Sequence, residues 1–136
     1  MSQRVLFICT HNSARSQMAE GLLRYLGGDA FDVHSAGTKA THVRPLAIRV
    51  MNELGIDISQ QQSKTLSRYL NEHFDEVITV CDAAAEACPL FPNATHMHHW
   101  SFEDPSKATG SEEEQLTVYR RVRDEIRTRI EQELLQ

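Results

Sequence analysis

No stretch of this chain stays apolar for the roughly 20 residues that a bilayer span requires, and the amino terminus, Met1-Ser2-Gln3-Arg4, carries neither an apolar signal region nor a cleavage-site pattern. A cytoplasmic protein without membrane contact is expected. Positive charge is also in short supply. With 14 Lys and Arg against 19 Asp and Glu, the formal net charge of -5 argues against a nucleic-acid or anionic-membrane surface, so any cationic chemistry must be local. Cysteine is scarce too, at 3 in 136 residues. In a reducing compartment these are not expected to form structural disulfides, because cytosolic disulfides are usually transient, catalytic or sensing. No internal repeat, low-complexity tract or linker divides the sequence, and its length suits one full hydrophobic core, so a single domain over residues 1–136 is expected.

What is present concentrates between Val5 and Met18, VLFICTHNSARSQM. A β-type apolar run, Val5-Leu6-Phe7-Ile8, delivers Cys9; five residues then intervene before Arg15 and Ser16, where a helical pattern begins. Short turn-forming residues between a buried strand and a helix start let consecutive backbone N–H groups point inward, forming a nest for a tetrahedral oxyanion backed by the positive end of the helix dipole. A cysteine at a helix N-terminus beside an arginine is the setting that favours the nucleophilic thiolate. The expected substrate cradle is Thr10, His11, Asn12, Ser13, Ala14, Arg15 and Ser16. Within it Cys9 attacks the oxyanion centre, Arg15 forks onto two oxygens, Ser16 hydrogen-bonds the thiolate, and Asn12 braces the loop. A buried cysteine acting as a small hydrophobe is the plainer reading of Cys9, but it leaves Arg15 unexplained.

The rest of the chain alternates strands and helices. Arg4 to Ile8 lacks polar alternation, as in a strand buried on both faces of a parallel sheet. Met18, Leu22, Leu23 and Leu26 fall at helical spacing before Gly27-Gly28, and Asp32 to Ala36 reads as a second strand ending at Gly37. A helix opens at Pro45, buries Ala47, Val50, Met51 and Leu54, and stops at Gly55. After the polar stretch Gln60-Gln61-Gln62-Ser63, a weaker helix is expected from about Leu66 to Glu72, then a third strand over Val77 to Val80 that runs into Cys81. His96 to Trp100 reads as the fourth strand, and a capping box of Ser111 and Glu114 opens a long helix with Leu116, Tyr119, Val122, Ile126, Ile130 and Leu134 on its apolar stripe. The acidic run Glu112-Glu113-Glu114 complements the dipole of its first turn. The expectation is an α/β, three-layer sandwich with a central four-stranded parallel sheet flanked by helices, its ligand beyond the carboxyl ends of the strands.

Two further features carry chemistry. Asp104, before Pro105, is placed to protonate a departing oxygen, although Asp-Pro is equally a turn dipeptide. Cys81 and Cys88 are separated by six residues, which fits neither a Cys-x-x-Cys redox motif nor a metal knuckle. In a helix, residues seven apart lie about 10.5 Å apart along the axis, beyond the roughly 7 Å limit on the Cα separation of a disulfide. The Ala-rich, Pro-terminated segment CDAAAEACP would have to unwind or loop to join them, and its marginal helicity suits that; two unrelated buried thiols are the plainer reading. Strand alternation puts His96 and His98 on one face and His99 on the other, with no recognised zinc pattern, so no metal site is expected. His34 and His42 read as surface or loop residues.

On CTHNSARSQMAE, the SAG of Ser35 to Gly37, CDAAAEACP, HWSFEDP and the terminal RRVRDEI, the chain resembles the thioredoxin-coupled arsenate reductases built on the low-molecular-weight protein tyrosine phosphatase fold. The resemblance implies that Cys9 attacks arsenate, Asp104 protonates the departing hydroxide, Cys81 attacks the Cys9 sulfur as arsenite leaves, and Cys88 then takes over to give a Cys81–Cys88 redox disulfide. Thioredoxin would restore the dithiol, no bound cofactor would be needed, and a cytoplasmic monomer serving arsenic detoxification is expected. Some relatives use Asn12, Glu20, Ser35 and an acid in the polar stretch after the second helix to hold potassium. Lys64 stands at that position here, so no potassium dependence is expected. Ala14 replaces an additional cysteine of some relatives, and His11 a frequent glycine whose replacement has no evident role. Two other functions share these residues. A protein tyrosine phosphatase, an activity that relatives of the fold often retain weakly, leaves Cys81 and Cys88 without roles; typical phosphatases also place aromatics after Asp-Pro, where Ser106 stands here. A non-enzymatic redox-sensing module leaves Asp104 idle.

Overall fold

The computed structural model describes residues 2–82 and 90–135. Among them, four parallel strands form the centre: β1 (Gln3–Cys9), β2 (Phe31–Gly37), β3 (Phe74–Thr79) and β4 (Ala94–His99), ordered β2-β1-β3-β4. β1 alternates its side chains between two cores, Val5, Phe7 and Cys9 into one and Leu6 and Ile8 into the other. That is why its sequence shows no polar alternation. Three α-helices, α1 (Arg15–Gly27), α2 (Pro45–Asn52) and α3 (Glu112–Glu133), share the larger core over one face. Met18, Leu22 and Leu23 of α1, Val50 and Met51 of α2, and Leu116, Val122 and Ile126 of α3 are fully buried there. Each such side chain contributes about 1.5–3 kcal/mol relative to exposure. Ser111 accepts from the Glu114 N–H while Glu114 reaches back to the Ser111 N–H, forming the expected capping box.

The other face is covered by Leu66, Tyr69 and Phe91 packed on Phe74 and Val77. The helix expected from Leu66 to Glu72 is instead a single 3₁₀ turn, Leu66–Arg68. Tertiary contacts override a weak local preference here. Tyr69 packs its ring edge-on to Phe74, Asn93 donates to the Leu70 carbonyl, and Glu72 accepts from Arg4, which draws the chain directly into β3. β3 also begins earlier than its apolar run. Asp75, ahead of the strand expected over Val77 to Val80, sits inside β3, where its carboxylate accepts the Arg4 N–H at 2.8 Å. His34, expected at the surface or in a loop, lies half-buried on β2 against Tyr69 and Phe74. The expected helical turns over Cys81 to Pro89 lie outside the described residues, apart from Cys81 and Asp82.

The register brings the carboxyl ends together. Cys9 pairs with Gly37 on one side, and on the other Ile8 pairs with Thr79, the Val80 N–H then donating to the Ile8 carbonyl at 2.8 Å. Cys81 therefore arrives one strand away from Cys9. Gly37 matters for a different reason: a Cβ there would stand 2.7 Å from the Thr10 oxygen, 2.8 Å from the Asn12 nitrogen and 2.9 Å from the Cys9 oxygen. All three are backbone atoms at the end of β1 and in the loop after it, so an added methyl must displace that backbone. Gly37→Ala is expected to lower stability by about 1–3 kcal/mol, the usual cost of overpacking, and to weaken oxyanion binding. Thermal denaturation in the presence and absence of phosphate measures both, and a wild-type phosphate-induced shift in Tm would contradict the placement.

Candidate active site

The loop between β1 and α1 takes its shape from Asn12, whose backbone adopts φ 49°, in the left-handed region. Its side chain is fully buried and holds four partners. Nδ2 donates to Ser16 Oγ at 2.8 Å and to Ser35 Oγ at 2.9 Å, while Oδ1 accepts from Gln17 Nε2 at 2.9 Å and from the Lys64 N–H at 2.8 Å. Sequence reasoning placed Asn12 and Ser16 in the loop, and only the resemblance drew in Ser35. It missed Gln17, whose Nε2 also donates to the Asn12 and Gln62 carbonyls, and it read Gln61 to Ser63 merely as a polar stretch. Gln61 Nε2 donates to Gln17 Oε1 at 2.8 Å, and Ser63 donates to the His11 carbonyl at 3.0 Å. Gln61 lies in a run of three glutamines in the coil after α2, a composition that by itself assigns no partner.

Inside this frame Cys9 Sγ lies 2.8 Å from Ser16 Oγ, a hydroxyl placed to donate to a thiolate. Arg15 is the first residue of α1, and Ala14, at the N-cap, offers no side-chain cap. No side chain at the N-cap competes for the first amides of the helix, as the anion-nest reading requires. Arg15 is 3% exposed, and its Nη1 donates to the Phe102 carbonyl at 3.2 Å. Its Nη2 faces Asp104 Oδ2 at 3.6 Å, so the loop that begins at Cys9 and the turn that holds Asp104 meet at this guanidinium. The turn reading of Asp104 holds, and its other oxygen faces Arg15. Its Oδ1 caps the turn Pro105–Lys107, accepting from Ser106 N–H at 3.0 Å and Ser106 Oγ–H at 2.7 Å, and that turn is what aims Oδ2 at the site.

Cys81 is fully buried, with its thiol 3.9 Å from the Ile8 carbonyl oxygen. Cys88 lies outside the described residues. The histidines of β4 are placed as alternation predicted: His96 and His98 face Glu76, at 2.8 and 3.1 Å, and His99 faces Thr79. Among the described residues no group of three or more His, Cys, Asp or Glu is arranged to hold a metal, and no helix is long and apolar enough to cross a membrane.

The sequence pattern of the low molecular weight phosphotyrosine protein phosphatases matches residues 4–136. The chain belongs to this family. It is 50% identical over 131 residues to an arsenate reductase of Halalkalibacterium halodurans, covering 96% of this chain and 94% of that protein. Among solved structures, an arsenate reductase in the phosphate binding state superposes with a TM-score of 0.81 at 35% identity, covering 96% of this chain and 95% of that one. A thioredoxin-dependent arsenate reductase of Corynebacterium glutamicum matches with a TM-score of 0.68 at 29% identity, covering 99% of this chain and 64% of that one.

In this member of the low molecular weight phosphatase family, Lys64 fills the place beside Asn12, Ser35 and Glu20. Ser35 Oγ–H donates to Glu20 Oε1, and Lys64 Nζ stands 3.7 Å from that same oxygen while donating to the Gln62 carbonyl at 2.6 Å. Burial pushes the Lys64 ammonium below the ordinary lysine value, and the attraction of Glu20 opposes that shift. These residues do not fit a potassium ion, because a tethered ammonium already supplies the positive charge that Glu20 faces. Activity measured in potassium and in sodium salts at equal ionic strength is therefore expected to be the same. A several-fold activation by potassium would contradict the ammonium's role.

Proposed function

We propose that this protein is an arsenate reductase that passes two electrons from thioredoxin to arsenate through Cys9, Cys81 and Cys88. The observation that carries the reading is the fully buried Cys81 at the end of β3, set by strand register beside the strand that ends in Cys9. Ester hydrolysis at the same loop needs no second thiol there. Reduction does. The 50% identical relative is an arsenate reductase, and the Corynebacterium glutamicum structure is a thioredoxin-dependent one, which supports both the substrate and the donor. The approach of Asp104 to Arg15 favours an enzyme over a redox-sensing module, since it gives the carboxyl a task.

The chemistry follows from the site. Arsenate enters the nest, held by the loop amides and by Arg15, whose planar fork matches two tetrahedral oxygens. The Cys9 thiolate attacks arsenic, and Asp104 gives its proton to the departing hydroxide, which leaves as water. The Cys81 thiolate then attacks the Cys9 sulfur. The sulfur–arsenic bond breaks with its electron pair going to arsenic, so As(V) becomes As(III), arsenite departs, and a Cys9–Cys81 disulfide remains. Cys88 attacks the Cys81 sulfur, releasing Cys9 as a thiolate and leaving a Cys81–Cys88 disulfide. This last exchange is needed because Cys81 is buried where a protein reductant cannot reach it. Thioredoxin then reduces the pair, and no bound cofactor takes part. Residual hydrolysis of aryl phosphates is expected at the same loop, through Cys9, Arg15 and Asp104 alone.

The reading is tested by arsenate turnover with thioredoxin, its reductase and NADPH. Wild type is expected to turn over repeatedly, and Cys81→Ser and Cys88→Ser to lose multiple turnover while aryl phosphatase activity persists. Repeated turnover in both variants contradicts the relay. Phosphatase activity without any arsenate reduction in the wild type would assign the site to hydrolysis instead.

A further inference from the structure

Residues 38–44, which follow β2, belong to no helix or strand, yet they are fastened to the oxyanion loop along its length. Thr38 Oγ1–H and the Lys39 N–H both donate to the Thr10 carbonyl at 3.0 Å. Ser63 accepts from the Thr41 N–H at 2.9 Å and donates to the His11 carbonyl, and the Arg44 N–H donates to the Ser13 carbonyl at 2.9 Å. The segment is thus held in register with the loop. Its ionisable residues, Lys39, His42 and Arg44, are all of the basic type, in a chain of net charge -5.

Arg44 stands apart from the other two. Its Nε is buried and has no hydrogen-bond partner among the described residues. A buried donor left unmade costs about 1–3 kcal/mol, more when charged, so such a group calls for a partner from outside the chain. Its surroundings indicate which kind. The Tyr119 hydroxyl, its pKa raised mainly by burial, is shifted down by the Arg44 cation and up by the Asp104 carboxylate. Asp104 in turn faces Arg15 at 3.6 Å. Arg44 is therefore tied by its backbone to the loop that holds the anion, and its cation and the Asp104 carboxylate act on the same Tyr119 hydroxyl.

We propose that Arg44 is a second arginine of the oxyanion site, its guanidinium donating to the outward oxygens of a tetrahedral dianion whose inner oxygens are held by the loop amides and Arg15. A dianion bound by one arginine leaves charge facing the mouth of the nest, and a second planar donor set satisfies both that charge and the orphaned Nε–H. Lys39 and His42, on the same segment, add to the local positive potential that draws anions to this end of an acidic protein. Arg44 thus acts on affinity for the anion. The proposal rests on the reductase reading only for the identity of the physiological anion.

Binding can be read without reduction, by following alkylation of Cys9 with iodoacetamide, mapped by mass spectrometry of its peptide, against rising inorganic phosphate in the reduced protein. Phosphate is expected to protect Cys9 in the wild type. Arg44→Gln should raise the half-protecting concentration about tenfold, and Arg44→Lys, which keeps the charge but not the fork, about threefold, as for loss of hydrogen bonds to a charged group. Thermal denaturation monitors folding, and should Arg44→Gln fail to fold, Arg44→Lys decides. Wild-type protection in the folded Arg44 variants overturns the proposal, as does an absence of protection in the wild type. The predicted shifts together with no arsenate turnover would uphold Arg44 and remove only the reductase reading.

Discussion

A single buried amide holds this site together. Asn12 sits in a left-handed backbone conformation that L-residues adopt at some cost, and asparagine is among the few side chains that tolerate it. Its Nδ2 has two protons and its Oδ1 two lone pairs, and all four are used, by Ser16, Ser35, Gln17 and the Lys64 backbone. The loop that presents Cys9 and Arg15 is thereby bonded at once to α1, to β2 and to the coil after α2. Removing one partner would strand the others in a water-free interior, so the arrangement is held as a unit. Electrostatic preorganisation of this kind needs no rearrangement when the anion arrives, which is how such a loop stabilises developing charge.

The same network explains why the charge balance at the site is local. The chain is acidic overall, yet Arg15 and the start of α1 close the loop that begins at Cys9, and the Lys64 N–H bonds Asn12 of that loop. Glu20 is the counterweight, taking Ser35 on one oxygen and Arg24 on the other, with Lys64 beside it. Parallel register does the rest. In a sheet ordered β2-β1-β3-β4, β1 is flanked by β2 and β3, so whatever follows β2 and β3 must lie beside Cys9. Gly37 follows on one side, with the close approach that only glycine permits, and Cys81 on the other.

Much of this was legible beforehand, and the exceptions have physical causes. The Val5 to Ile8 run announced a strand buried on both faces, and the capping box at Ser111 announced the longest helix, because each rests on a local and periodic signal. Asp75 inside β3 was hidden, since its place depends on an Arg4 N–H that is distant in sequence. The short turn at Leu66–Arg68 was overestimated because tertiary packing of Tyr69 outweighs helix propensity there. Cys9, Arg15 and Asp104 were legible as a site because their spacing and residue types suffice to suggest chemistry. Gln17, Gln61 and Ser63 were not, because glutamine and serine carry no signature until the fold shows whose carbonyls they meet.

The order in which the thiols act separates a three-cysteine relay from every other use of this loop. In the Cys88→Ser variant, one equivalent of arsenate should yield one equivalent of arsenite and stop, with mass mapping finding Cys9 and Cys81 joined in a disulfide. Arsenite release with Cys9 and Cys81 both recovered as free thiols, or with Cys9 joined to an external thiol instead, would contradict it.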